Sequence, residues 1–298
     1  MKYGIYFAYW EQEWGVEQKK YIAKVKELGF DILEISCAML KNISNQELLE
    51  LKKMADDNGI ILTAGYGPND QENLASDNPE IVKHAINFYT DILKKLEILN
   101  IHTFGGGIYS YWPVDYSKSI DKVGDWDRSV KNVRTVGKVA GNCGVDYCLE
   151  VLNRFEGYLL NTCMECKSFV EEVDIPAVKI MLDTFHMNIE EDNMIDAIIL
   201  AGDKLGHFHV GENNRRLPGK GNLPWYEIGA ALRKIGYDKN IVMEPFVKSG
   251  GGVGSDIKIW RDLSKGATIQ RLDEDAKSSV AYLRYVFSGP NSDYSAEK

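Results

Sequence analysis

Short apolar runs alternate with helical periodicity along almost the whole of this 298-residue chain, and that rhythm restricts its fold more than any other feature. Candidate strands are Tyr3–Ala8, Asp31–Ile35, Ile60–Gly65, Ile101–Gly105, Asp146–Val151, Val178–Asp183, Leu205–Val210 and Ile241–Pro245. Each is bounded by glycine, proline or polar residues, as expected for strands buried on both faces. Helical signals fall between them. Asn78 can cap a helix with Pro79 at its first position, and Ile81, Ala85, Phe88, Ile92, Leu96 and Leu99 follow on one face. Arg128–Cys143, Thr162–Val173, Pro224–Ile235 and Asp273–Phe287 repeat the pattern. Eight strands alternating with helices predict an α/β fold, a (β/α)8 TIM barrel. A doubly wound sheet is the alternative, but its glycine-rich turn after the first strand is missing, with Tyr9-Trp10-Glu11-Gln12 in its place.

Barrels of this type run to about 250 residues as one domain. Residues 1–287 are therefore expected to form a single catalytic barrel, and the small, polar 288–298 segment a mobile tail. With 44% hydrophobic and 27% charged residues, the composition is that of an ordinary globular chain. A net charge of −9 without a basic block argues against a nucleic-acid partner. No apolar run is long enough to span a bilayer, so no membrane partner is expected. Met1-Lys2-Tyr3-Gly4-Ile5-Tyr6 enters a strand without the regions of a signal peptide, and a cytoplasmic location is the expectation. The odd count of five cysteines favours free thiols. Cys163 and Cys166 form a C-x-x-C, yet Thr162 and Glu165 read as a capping box and no second cysteine pair completes a zinc site.

Four metal-type side chains, Glu150, Asp183, His209 and Glu244, end four successive strand segments. They stand roughly 25–35 residues apart, about one βα unit each. In a barrel the carboxyl ends of the strands surround one pocket, where these residues would converge. Three carboxylates and one imidazole suit a divalent cation. Taken singly, each has a plainer reading: Glu150 paired with Arg154, Asp183 capping the next turn, Glu244 merely preceding Pro245, His209 satisfied in the core. Together they are accounted for by one geometry. His207 shares the face of His209 but lies further from the strand end. Glu34 ends the second strand and could be a fifth acid in the pocket, but supporting the barrel rim is the commoner fate and it is left out of the site. Two loops are unusual. Tyr109–Tyr116 is aromatic and suits a substrate cover or a subunit contact, whereas Lys248–Asp256 is glycine-rich and suits a flexible loop or a phosphate cradle. No Walker lysine follows the second.

At these residues the chain resembles the ketose 3-epimerases, the D-tagatose 3-epimerase and D-psicose (D-allulose) 3-epimerase family. The similarity covers nearly all of it. Its most specific stretches are Cys148-Leu149-Glu150-Val151-Leu152-Asn153-Arg154-Phe155-Glu156 and Met181-Leu182-Asp183-Thr184-Phe185-His186-Met187-Asn188. Gly206-His207-Phe208-His209 with Asn214-Arg215, and Val242-Met243-Glu244-Pro245-Phe246, complete the set. The resemblance implies a xylose-isomerase-like barrel binding Mn²⁺ or Co²⁺ through Glu150, Asp183, His209 and Glu244, with Mg²⁺ also suited to the ligand types. It implies that Glu156, His186 and Arg215 meet the sugar's carbonyl and hydroxyl groups, and that Tyr6 and Trp112 line its apolar side. It further implies a homotetramer built from dimers.

The expected reaction is C3 epimerisation of a free ketohexose, D-psicose/D-fructose before D-tagatose/D-sorbose. Glu150 and Glu244 would exchange a proton as base and acid through an enediolate. Tyr66 leaves the preferred ketose open. An aldose–ketose isomerase would need almost the same residues. A DNA-repair endonuclease, a chemistry carried by related barrels, fits the acidic charge and scarce histidines poorly. A sugar-binding barrel without turnover fits poorly with two retained proton-transfer acids.

Overall fold

Strands that are apolar on both faces need cover on both, and here they obtain it by closing on themselves. β1 (Lys2–Tyr6), β2 (Ile32–Ser36), β3 (Ile61–Tyr66), β4 (Thr103–Gly106), β5 (Asp146–Glu150), β6 (Val178–Asp183), β7 (Leu205–Val210) and β8 (Asn240–Met243) form a closed parallel barrel in chain order. The ring is sealed by β1 against β8, with Lys2 opposite Asn240 and Ile5 opposite Met243. The computed structural model describes residues 1–289. Most of the expected tail, 290–298, lies outside the described residues; Ser288, placed in that tail from sequence, is instead the last residue of the final helix.

The helices are α1 (Tyr21–Glu27), α2 (Asn45–Asn58), α3 (Pro79–Leu99), α4 (Lys122–Asn142), α5 (Cys163–Val173), α6 (Thr184–Glu190), α7 (Met194–Ala201), α8 (Trp225–Lys234), α9 (Gly251–Asp256) and α10 (Ile269–Ser288). Their starts follow local chemistry. Asn78 caps α3 by accepting from the Glu80 amide at 2.9 Å. Thr162 and Glu165 form the expected capping box on α5. Two helices begin earlier than periodicity suggests, because polar caps lie upstream of the first apolar positions. Asp121 accepts from Gly124 at the start of α4, and Thr268 accepts from Arg271 at the start of α10. Among the described residues no helix is long and apolar enough to cross a membrane.

Strand alternation sends one set of side chains into the barrel and the other against the helices. On β7, Phe208 is fully buried and packs its ring against Tyr237, at 6.5 Å between centroids. Its neighbours His207 and His209 both turn inward, toward Glu34 of β2. A register shift between β6 and β7 sets Asp183 opposite His209. Glycine makes room in the interior: a Cβ at Gly105 would collide with the Met181 sulfur and lie 3.3 Å from His207 Cδ2.

Phe208→Ala is expected to lower unfolding free energy by about 3–5 kcal/mol in urea denaturation, because it empties a filled position between barrel and helix layer. A loss near zero would place Phe208 outside that layer.

Candidate active site

The carboxyl ends of the last four strands bring the four predicted ligand residues together. Glu150 and Asp183 are the final residues of β5 and β6, and His209 is the penultimate residue of β7. Glu244 stands just beyond β8, where its amide still bonds Val210 O at 3.1 Å. One ligand atom from each of the four lies within 4.8 Å of all the others. His209 Nδ1 is 3.6 Å from Glu244 Oε2 and 4.0 Å from Glu150 Oε1. Both Glu150 Oε1 and His209 Nδ1 are buried without a hydrogen-bond partner. Buried polar atoms are rarely left so, and these two have lone pairs that a cation satisfies. Burial, then the nearby Glu244 charge, pushes the Glu150 carboxyl well above its ordinary range. Burial raises Asp183 as well, despite the opposing His186 and Arg215. The donor set and the orphaned atoms fit a divalent cation.

Arg215 bridges this cluster to the rest of the pocket. Its Nη1 donates to Asp183 Oδ2 at 3.3 Å and to Glu244 Oε2 at 3.1 Å, and its Nη2 donates to Glu156 Oε1 at 3.3 Å. The guanidinium lies 3.8 Å from the Phe185 ring centroid and 5.2 Å from that of Phe246. Its backbone holds a left-handed φ of 62°. The buried Glu212 organises this loop by accepting from Gly219 N, Leu223 N and Trp225 Nε1. His186, on α6, receives the Asn153 amide at Nδ1 (3.3 Å) and presents Nε2 3.8 Å from Glu150 Oε1. Burial lowers the His186 pKa, and with Nδ1 accepting from Asn153 the ring carries a proton on Nε2. Burial alone would raise Glu156, but His186 and Arg215 hold it below the usual carboxylate range.

A cavity of about 330 Å³ joins these groups. Tyr6, Trp112, Glu156, His186 and Arg215 all line it beside Glu150, His209 and Glu244, while Asp183 lies fully buried among them. Trp14 and Phe246, neither anticipated as pocket residues, complete its aromatic wall: Trp14 meets Trp112 edge-on at 6.3 Å and Phe246 at 6.1 Å. At the other end, Tyr66 donates to Glu72 at 2.6 Å, and Lys41 pairs with the same carboxylate at 2.7 Å.

Several plainer readings resolve here. Arg154 pairs with Glu190 at 2.8 Å rather than with Glu150. Asp183 has two roles, since Oδ1 accepts from Phe185 N at 2.7 Å to cap α6 while Oδ2 faces Arg215. The glycine-rich segment is neither a loose loop nor a phosphate cradle: it forms α9, docked on the loop after β1. There Gly252 N donates to the Glu13 carboxylate at 3.1 Å and Val253 N to Gln12 O at 2.9 Å. In the aromatic loop, Tyr109 is buried with its hydroxyl on Glu150 O, Trp112 stands at the cavity and Tyr116 remains exposed. All five cysteines are free, and burial pushes the Cys163 thiol up to about 12.

The largest departure is Glu34. It is not a rim support: fully buried, it faces both His207 and His209 at hydrogen-bond distance. Burial would raise its pKa, but the two imidazoles hold it well below the usual range. The signal was available in the alternation of β2 and β7, which sends Glu34, His207 and His209 to one interior.

This closed barrel with an acidic mouth matches, over residues 22–269, the xylose isomerase-like TIM barrel family. The chain is 58% identical to the D-psicose 3-epimerase of Ruminiclostridium cellulolyticum, over 96% of this chain and 98% of that protein. It is 52% identical to the D-psicose 3-epimerase of Agrobacterium fabrum, over 97% and 100% respectively. A solved structure of D-psicose 3-epimerase with D-tagatose from Clostridium cellulolyticum superposes with a TM-score of 0.96, covering 96% of this chain and 99% of that one at 58% identity. The chain belongs to the ketose 3-epimerase family, isomerase-class enzymes on the xylose isomerase-like barrel.

Arg215→Met removes the cation from three carboxylates while keeping an apolar stem. Stability of the metal-free protein should fall by about 3–5 kcal/mol in urea denaturation, the cost of stranding buried charge. An unchanged stability would mean that these acids do not depend on the guanidinium.

Proposed function

We propose that this protein epimerises free ketohexoses at C3, interconverting D-psicose and D-fructose in preference to D-tagatose and D-sorbose. The observation that carries the reading is the placement of Glu150 and Glu244 at one cavity, on strands from different sides of the barrel mouth. The identity to D-psicose 3-epimerases along almost the whole chain supports the substrate.

The hydrogen on C3 of a ketose is acidic because the adjacent C2 carbonyl accepts the electron pair. Removing it gives an enediolate, and returning a proton to the other face inverts the centre. That chemistry requires one acid–base group on each face, which Glu150 and Glu244 supply. Either can begin, according to the direction of reaction. Glu150, Asp183, His209 and Glu244 would hold Mn²⁺ or Co²⁺, with Mg²⁺ a third fit, and the bound cation would supply Lewis-acid polarisation of the substrate oxygens. The chain's own donors address the same charge: His186 offers Nε2–H and Arg215 its guanidinium to the developing oxyanion. Glu156 accepts from a sugar hydroxyl. Tyr6 and Trp112 cover the C–H face of the sugar and exclude water. Tyr66, whose proton is committed to Glu72, offers an oxygen lone pair to a hydroxyl at the far end. Lys41 lines the cavity but is already paired with Glu72, which supports an unphosphorylated substrate.

The same reading includes a cytoplasmic homotetramer. Exposed Phe155, Trp260 and Tyr116 flank a second cavity of about 460 Å³ beside the first, an aromatic surface suited to a subunit contact.

Chelation with EDTA should abolish epimerisation, and Mn²⁺ or Co²⁺ should restore it. Chromatography of products from the four ketohexoses and from D-fructose 6-phosphate tests this reading. Full activity in metal-free protein would defeat the metal role, and preference for the phosphate would defeat the substrate assignment.

Glu150→Gln and Glu244→Gln keep the shape of the site but remove a proton-exchanging group. Each should lower kcat by about 10²–10⁴-fold with metal bound, the usual worth of general acid–base catalysis. Near-normal turnover in either variant would contradict the two-acid scheme.

A further inference from the structure

Glu34 lines the same cavity as the four-residue cluster, with its carboxylate against His207 and His209, and has no part in the mechanism above. It is fully buried, yet both of its oxygens are engaged. Oε2 accepts from Thr63 Oγ1 at 2.8 Å and faces His207 Nε2 at 2.7 Å, while Oε1 faces His209 Nε2 at 2.6 Å. Gly65 gives it room, since a Cβ there would stand 3.3 Å from Oε1. An ionised carboxylate only accepts hydrogen bonds, so each imidazole must present its proton on Nε2. In the neutral ring that binds a cation, Nδ1 of His209 is then the lone-pair nitrogen. That atom is buried, without a hydrogen-bond partner, and directed at Glu150 and Glu244.

We propose that Glu34 is a positioning residue, which fixes the tautomer and ring angle of His209 so that Nδ1 is presented to a divalent cation held with Glu150, Asp183 and Glu244. Thr63 and His207 anchor the other oxygen and so set the plane of the Glu34 carboxylate. His207 itself is outside the four-residue cluster. Histidines that bind metal commonly donate their second N–H to a carboxylate, and removing that partner typically weakens metal binding about 10–100-fold. The inference rests on the metal reading proposed above.

The test is Mn²⁺ affinity, measured without substrate from the electron paramagnetic resonance signal of free Mn²⁺. Glu34→Gln offers one acceptor and one amide donor to two N–H groups and cannot satisfy both. Its Mn²⁺ dissociation constant should rise about 10–100-fold. Thr63→Val keeps the side-chain shape and removes one hydrogen bond to Glu34, so a smaller loss of about 2–10-fold is expected even where Glu34→Gln folds poorly. Backgrounds separate positioning from general damage. Adding Glu34→Gln to His209→Gln should cost no further affinity, whereas adding it to Asp183→Asn should cost the full factor. Unchanged Mn²⁺ affinity in folded Glu34→Gln or in Thr63→Val would overturn the inference, as would an equal loss in both backgrounds. If wild type binds Mn²⁺, Asp183→Asn weakens it and Glu34→Gln does not, only the role of Glu34 falls. If wild type fails to bind Mn²⁺, the metal reading and this inference fall together.

Discussion

Three carboxylates cannot share a buried barrel mouth as anions unless positive charge stands among them. Glu150, Asp183 and Glu244 meet there, and burial together with mutual repulsion makes full ionisation costly. The surrounding structure answers that constraint. Arg215 lies between Asp183, Glu244 and Glu156, and His209 Nδ1 stands 3.6 Å from Glu244 Oε2. Much of the loop architecture around the mouth serves to keep Arg215 there. Its left-handed backbone is fixed by hydrogen bonds to Glu212 and Phe246, its guanidinium by the aromatic rings on either side.

The barrel supplies this concentration of charge through alternation alone. Strand ends point to one rim, and every second side chain points inward. Glu150 and Asp183 need only be last in their strands, and His209 only inward-facing, for all to converge. The register shift between β6 and β7 completes the match by setting Asp183 opposite His209. Next to that layer, Glu34 at the cavity wall joins Thr63, His207 and His209 in a second polar group. Above it, Tyr6, Trp14, Trp112 and Phe246 make an apolar wall against which a sugar's C–H face can pack.

How much of this was legible depended on the range over which each feature is determined. The strands were legible because burial on both faces leaves a short apolar run bounded by turn residues. α3 was legible from Asn78 and Pro79, which act locally. The convergence of Glu150, Asp183, His209 and Glu244 followed from strand ends, and the resemblance pointed to Glu156, His186 and Arg215, which line the same cavity. Trp14 was not legible, because its place depends on a hydrogen bond to Asp256, the last residue of α9 and far away in sequence. The glycine-rich segment misled for a related reason: its conformation is set by Gln12 and Glu13, on the loop after the neighbouring strand β1 but far away in sequence. Glu34 was visible as a strand-end acid, but only the closed ring shows that β2 stands across the interior from β7.

The account turns on where the proton leaves and returns. Incubating the Mn²⁺-loaded protein with D-fructose in D₂O and reading the recovered sugars by nuclear magnetic resonance decides it directly. Deuterium at C3 of a C3-inverted ketose, with none at C1, is the result this account predicts. Deuterium at C1 or C2 with an aldose as product, or inversion at C3 without any solvent deuterium, would contradict it.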